Sequence, residues 1–283
     1  MAPSETRASQ IRDVRELVAH HFGDARADDL TRGLAAFSTL VREWNARGNL
    51  VSSRDAEKLL SRHIPESVEI AAVVSALAPR SILDLGSGAG FPGIPVALTS
   101  PGSRVVLLES RRMKSLFLLR AIRELGLASC FAWCARAEII GSSVRRVLPD
   151  RDDERARGDD ESGHEGECGS GTQGGSGSER GTDTKSGRGA VTEIPVAWSR
   201  LSLEAPPVID PFDVVTARAV APLVALARLA GPIVGSGGRL IATKGSRLEE
   251  EMREWEGSPG PWRLDSVVAL KSGWAKLVIL RRT

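Results

Sequence analysis

The sequence predicts an α/β fold: a seven-stranded, mostly parallel sheet with helices on both faces, preceded by a helical extension. Two observations carry this expectation. From Ser81 onward, short apolar runs of strand length recur, and the first five are separated by connections long enough for a helix. Before Ser81 the apolar residues recur instead at three- and four-residue spacing, the period of one helix face. Runs that are apolar along most of their length belong to strands covered on both sides, as parallel strands are.

The elements follow in order. Ile11–Phe22 and Asp29–Trp44 read as helices, the second with Leu30, Leu34, Phe37, Leu40, Val41 and Trp44 on one stripe. A third helical stretch starts after Ser53, and Pro65 should break or restart it, because proline has no amide proton and its ring clashes with the preceding turn. The strand candidates are Ser81–Leu85, Arg104–Glu109, Cys130–Cys134, Phe212–Thr216, Arg239–Thr243, Leu264–Leu270 and Leu277–Leu280. Residues 1–78 would then form a helical region packed on the core, and residues 79–283 the main domain.

Composition bounds what this fold can do. Hydrophobic residues make up 41% and charged residues 26%, an ordinary mixture that can fill a core. The longest apolar candidate, Val68–Ala78, carries Glu69 and Ser75 and is too short to span a bilayer. Met1-Ala2-Pro3-Ser4-Glu5 has no apolar segment of the secretory kind, so a cytoplasmic location is expected. Cys130, Cys134 and Cys168 form no framework or ligand cluster, and His20, His21, His63 and His164 are equally scattered, so no metal is expected. Residues 150–189 contain no Val, Ile, Leu, Phe, Met, Trp or Pro and read as a solvated insert between the third and fourth strands. Eleven acids against six bases give that tract −5, so of a chain total of +2 the remainder carries +7. A basic body of that kind favours polyanions such as nucleic acid.

Asp84-Leu85-Gly86-Ser87-Gly88-Ala89-Gly90-Phe91-Pro92-Gly93 follows a strand and precedes a helix. Glycines there permit a tight turn and let backbone approach a nucleotide-like ligand. Gly88-x-Gly90-x-x-Gly93 also satisfies the dinucleotide fingerprint, so an NAD-dependent oxidoreductase is a rival reading. Asp84 tilts the choice, because pyrophosphate sits poorly beside a carboxylate that a cationic ligand would seek. Glu109, at the end of the second strand, can accept two ribose hydroxyls in either cofactor class.

Trp44-Asn45, Asn49-Leu50, Ser52-Ser53-Arg54-Asp55, Arg62-His63-Ile64, the Asp84–Pro95 run, Leu107-Leu108-Glu109-Ser110, Arg136-Ala137-Glu138, Ala217-Arg218-Ala219-Val220-Ala221 and Lys244-Gly245 occur in that order. Together they resemble the bacterial ribosomal RNA small subunit methyltransferase G family, RsmG or GidB, a class I methyltransferase family of Rossmann-like fold. The resemblance implies S-adenosylmethionine-dependent methylation of N7 on a guanine in the 530 loop of 16S rRNA, on free rRNA or the small ribosomal subunit. It implies cofactor contacts at Asp84, Gly86, Gly88, Gly90, Phe91, Glu109, Ala137 and Glu138, with Arg218 facing the methyl-transfer pocket. Three departures stand out: Pro65-Glu66 where the family has Leu-Asp, no Glu-Arg pair near Ala275-Lys276, and the length of the insert.

N7 of guanine has a free lone pair and no proton to lose, so no catalytic base is required. Arg218 and His63 are expected to position rather than to move protons. Arg54, Arg62, Arg111, Arg112, Lys114, Lys244 and the pair Arg281-Arg282 are candidates for gripping RNA phosphates. A monomer is expected, and a noncatalytic RNA-binding module on the same fold is the second rival.

Overall fold

The computed structural model describes residues 6–145, 201–202, 210–257, 259–272 and 275–283, so the insert 150–189, with His164 and Cys168, lies outside the described residues. The helical extension comprises α1 (Arg7–Phe22), α2 (Asp24–Asn45), α3 (Ser53–Glu57), a π-helical turn (Leu59–His63) and α4 (Ile64–Ala76). Gly23, at φ +83°, turns the chain between α1 and α2, which starts five residues earlier than the apolar stripe announced. Asn45 closes the loop to α3, its Oδ1 accepting the amides of Leu50 and Val51 at 2.9 Å each. Pro65 restarts the helix: it occupies the first turn of α4, where no intrahelical amide bond is needed. The widened turn before it, with the His63 amide reaching back to Lys58 O at 3.2 Å, passes the chain from α3 into α4.

The sheet contains β1 (Ser81–Leu85), β2 (Arg104–Leu108), β3 (Cys130–Trp133), β4 (Leu201–Ser202), β5 (Phe212–Arg218), β6 (Val234–Lys244), β7 (Trp262–Ala269) and β8 (Lys276–Arg282). Their order is β4-β3-β2-β1-β5-β6-β8-β7. The first six run parallel, while β8 is antiparallel to both β6 and β7. The eighth strand beyond the expected seven is β4, two residues paired with β3, too short to leave an apolar signature. The crossover helices are α5 (Gly93–Thr99), α6 (Arg112–Glu124), α7 (Ala137–Arg145), α8 (Leu223–Ala230) and α9 (Leu248–Glu256).

Successive residues of β1 serve opposite faces, as the pleat requires. Ile82 joins a cluster with Phe37, Ile64, Ile94 and Phe117, so the helical extension shares one core with this face of the sheet. Leu83 and Leu85 join the other cluster, with Ile140, Leu223, Leu226 and Trp255. Strand order reverses at β1, whose neighbours are β2 on one side and β5 on the other. Open α/β sheets bind ligands at the carboxyl ends of the strands flanking such a point. Among the described residues, no helix is long and apolar enough to cross a membrane.

Candidate active site

The chain leaves β1 at Leu85 and turns through Gly86 (φ +73°) and Gly88 (φ +56°), conformations open to glycine at little cost. A Cβ on Gly86 would stand 2.9 Å from Val220 Cγ2. A Cβ on Gly88 would meet nothing nearer than Gly86 O at 3.8 Å, so this residue presents bare backbone to open space. Glu109, just past β2, holds that backbone: its Oε2 accepts the Gly88 amide at 3.0 Å and its Oε1 the Arg111 amide at 2.8 Å. A carboxylate has about four acceptor positions, so capacity remains on the open side. That side is a cleft of about 610 Å³ lined by Gly86, Gly88, Glu109, Arg111, Lys114, Ala137, Glu138 and Arg218. These eight, among the seventeen residues that line it, are the ones sequence reasoning singled out.

Asp84 requires a correction. Its carboxylate is 1% exposed and is not among the residues lining the cleft. Oδ1 accepts the Thr216 hydroxyl at 2.8 Å, and Oδ2 accepts the Gly93 amide at 3.2 Å. Burial raises its pKa to about 6, against the opposing pull of its hydrogen bonds and of the Arg218 charge. Asp84 therefore closes the turn from beneath and takes the first amide of α5, instead of reaching toward a ligand. Gly90 is corrected likewise: at φ +89°, its Cβ position lies 2.8 Å from Ile94 Cγ1 and 3.1 Å from Phe37 Cζ, inside the core. Phe91 is 8% exposed, with its ring 4.9 Å from Phe37 and 5.6 Å from His63.

Arg218 ends β5 beside this turn, at the start of a sharp bend where Ala219 takes φ +54°. Its Nη2 donates to Glu66 Oε2 at 2.5 Å and to His63 Nδ1 at 2.7 Å. A guanidinium only donates, so Nδ1 is the acceptor, and His63 Nε2 carries the proton that meets Asp55 Oδ1 at 3.2 Å. Burial, reinforced by the Arg218 charge, lowers the His63 pKa and favours this neutral ring. Glu66, 1% exposed, also accepts Arg62 Nε at 2.9 Å. The chain Asp55–His63–Arg218–Glu66–Arg62 thus ties the helical extension to the end of β5. Arg218 is a wall common to the cleft and two neighbouring cavities, one of about 400 Å³ beside His63 and Phe91, and one of about 450 Å³ beside Lys244 and Glu251.

The basic candidates divide. Arg54, Arg111 and Arg112 are exposed, while Arg62 and Lys114 are half-buried at cavity walls. Lys244 is corrected as a phosphate contact: it is 7% exposed, and its Nζ is committed to Ala221 O at 2.6 Å and Glu251 Oε2 at 2.7 Å. Arg281 and Arg282 lie away from the ligand edge, because β8 runs antiparallel: Lys276 pairs with Lys244 at the carboxyl end of β6, and Arg281 with Arg239, halfway back along it. Arg282 donates to Val234 O, and Arg281 pairs with Asp265 at 3.5 Å. Asp55, Glu66, Thr216 and Glu251 were missed as site residues. The spacing of Glu66, four residues after Arg62, was the available signal. Among the described residues, no group of three His, Cys, Asp or Glu side chains is placed to hold a metal.

Sheet order, helix placement and glycine turn define a class I methyltransferase fold. An O-methyltransferase from Streptomyces achromogenes, TomG, solved with SAM, shares that fold at TM-score 0.50 and 14% identity over 89% of each chain. Residues 31–147 match the family described as rRNA small subunit methyltransferase G. Proteins named ribosomal RNA small subunit methyltransferase G are similar over longer stretches. The one from Roseiflexus sp. (strain RS-1) is 30% identical over 77% of this chain and 66% of its own length, and the one from Stenotrophomonas maltophilia (strain R551-3) 27% over 84% and 78%. The Nitrosomonas europaea protein is 44% identical over 38% of this chain, a match that spans about half (49%) of that relative. The chain belongs to the rRNA small subunit methyltransferase G family.

Proposed function

We propose that this protein transfers a methyl group from S-adenosylmethionine to N7 of a guanine in the 530 loop of 16S rRNA. The observation supporting the cofactor class is the occupied start of α5. Asp84 takes the Gly93 amide, so the helix terminus that would seat a pyrophosphate already holds a carboxylate. The open backbone at Gly88 and the spare capacity of Glu109 suit a nucleoside with no phosphate. Gly86, Gly88 and Glu109 would hold S-adenosylmethionine, with Ala137 and Glu138 on the same cleft wall. When bound, it supplies a methyl group already activated on a sulfonium.

The protein's part is then placement. Guanine N7 brings its own lone pair, so no side chain needs to remove a proton. His63 conforms to this: its Nδ1 lone pair is occupied by Arg218 and its Nε2 proton by Asp55. Arg218, held on two sides, borders the cleft and fixes the geometry in which an attacking base would sit. Arg54, Arg62, Arg111, Arg112 and Lys114 would take RNA phosphates, Lys114 from the rim of the cleft. The partner in this reading is 16S rRNA or the small ribosomal subunit, met in the cytoplasm by a monomer. Residues 1–78 serve as a wall of the catalytic domain 79–283, to which they contribute His63 and Glu66.

The test incubates purified protein with methyl-labelled cofactor and ribosomal RNA from a strain lacking the family enzyme. Label should enter small-subunit RNA, and strand scission after borohydride and aniline, which reports N7-methylguanine, should map it to one position. Binding of NAD rather than S-adenosylmethionine in calorimetry would replace the reading with an oxidoreductase. Binding of both cofactor and RNA with no transfer would leave a noncatalytic RNA-binding module.

A further inference from the structure

The cavity of about 450 Å³ on the far side of Arg218 has had no role assigned so far. Its floor is the carboxyl end of β6, and α9 closes one side. Val220, Pro222 and Ala275 make part of its wall apolar. Two carboxylates border it. Glu66 has both oxygens engaged, by Arg62 and by Arg218. Glu251, with its side chain 14% exposed, uses one: Oε2 accepts Lys244 Nζ at 2.7 Å and the Leu223 amide at 2.8 Å. Among the described residues nothing meets Glu251 Oε1, the one carboxylate oxygen of this cavity with its capacity unspent.

A guanine methylated at N7 must keep that atom bare toward the methyl donor. The protein can then identify the base from its far edge, where, beside the O6 acceptor, N1–H and the N2 amino group are both donors. Such an edge calls for a carboxylate. Adenine presents a lone pair at N1, which a carboxylate repels. We propose that this cavity seats the target guanine and that Glu251 is the residue that reads its N1–H and N2 amino group. Lys244, committed to Ala221 O, holds the carboxylate in place and does not contact RNA phosphate. The proposal rests on the reading of the protein as a guanine-N7 methyltransferase and adds the determinant of base choice.

Saturation-transfer NMR titrations of the full chain, saturated with S-adenosylhomocysteine, test it with guanosine, inosine and adenosine 5′-monophosphates. Inosine differs from guanosine only by lacking the N2 amino group. Guanosine monophosphate should bind about tenfold more tightly than inosine monophosphate, the value of one charge-assisted hydrogen bond, with adenosine monophosphate weaker still. In Glu251→Gln the first two should fall within about twofold of each other, with S-adenosylhomocysteine affinity retained as the sign of an intact fold. Equal binding of the first two by the unaltered protein overturns the assignment, as does an undiminished preference in the variant. Should the variant lose cofactor binding, the unaltered protein alone decides. N7 methylation of rRNA without a guanine preference here would sink this inference and leave the proposed function standing. Preference without methylation would do the reverse.

Discussion

Glu66→Gln removes one negative charge while keeping shape, and its cost follows from the two arginines that Glu66 holds. Arg62 is 41% exposed, and a contact of that kind contributes about 0.5 kcal/mol. Arg218 is 17% exposed and meets a neutral imidazole on its other side, so the substitution leaves its guanidinium without the counter-charge in direct contact. Stripping the partner from a fully buried ion pair costs about 3–5 kcal/mol. The amide carbonyl retains one hydrogen bond and some water reaches Arg218, which brings the expectation to about 2–3 kcal/mol. Urea unfolding at pH 7 measures this. A cycle with Arg218→Gln should return a coupling of about 2 kcal/mol, since the two side chains touch. Methyl transfer to rRNA should fall about 10- to 100-fold with S-adenosylmethionine affinity within about threefold, because Glu66 does not line the cofactor cleft. A stability change below about 0.5 kcal/mol, or no coupling, would refute the view that this network fixes Arg218.

Four further outcomes follow from the same geometry. Gly93→Ala should destabilise the fold by about 2–4 kcal/mol in urea unfolding, because the new methyl overlaps Leu107 and stands 2.5 Å from Asp84 Oδ2; a variant within about 1 kcal/mol would show that the turn can yield. Glu109→Gln should weaken S-adenosylmethionine about 10- to 100-fold by calorimetry, and unchanged affinity would remove Glu109 from the site. Asp84 is held protonated to higher pH in the folded state than when unfolded, so its share of stability is greatest below about pH 4, declines by about 3 kcal/mol toward pH 6 and is flat beyond. Asp84→Asn should remove that decline from urea midpoints taken across the range, and an unaltered slope would assign it to other groups. Charge reversal at Arg112, which is exposed and does not line the cleft, should weaken rRNA binding severalfold, about 3- to 10-fold, in filter assays at low salt while sparing cofactor affinity, and unchanged RNA binding would exclude this rim.

Where periodicity is strong, the sequence carries the fold. The runs at Ile82–Leu85, apart from Asp84, and at Val105–Leu108 are apolar because both faces of those strands are covered, and they announce parallel strands at the site's centre. β4 could not be seen this way, since two residues make no pattern. In the site, residues whose backbone faces the ligand edge were legible from type and place: Gly88 beside Glu109, and Ala137 and Glu138 opening α7. Side-chain direction was not. Asp84 and Gly90 lie in the same motif as Gly88 yet point into the core, Asp84 because it is still part of β1 and follows its pleat, Gly90 because the turn sets its Cβ position against Ile94 and Phe37. Lys244 looked like a surface cation until Glu251, seven residues on and one helix turn into α9, was found against it. The Glu66 contact with Arg218 spans 152 residues, a separation at which spacing carries no information.

One guanidinium forms part of three cavity walls. Any shift of Arg218 on filling one chamber would alter a wall of the other two, which is how the chambers would come to share a free energy. Linkage then fixes a symmetry: whatever factor a nucleoside in the first chamber adds to the affinity for a base in the third, the base returns to the nucleoside. Order of arrival does not enter that equality. On the proposed assignments, a single side chain, clamped between a histidine and a glutamate from the helical extension, would make two ligands that need never touch before reaction into effectors of one another.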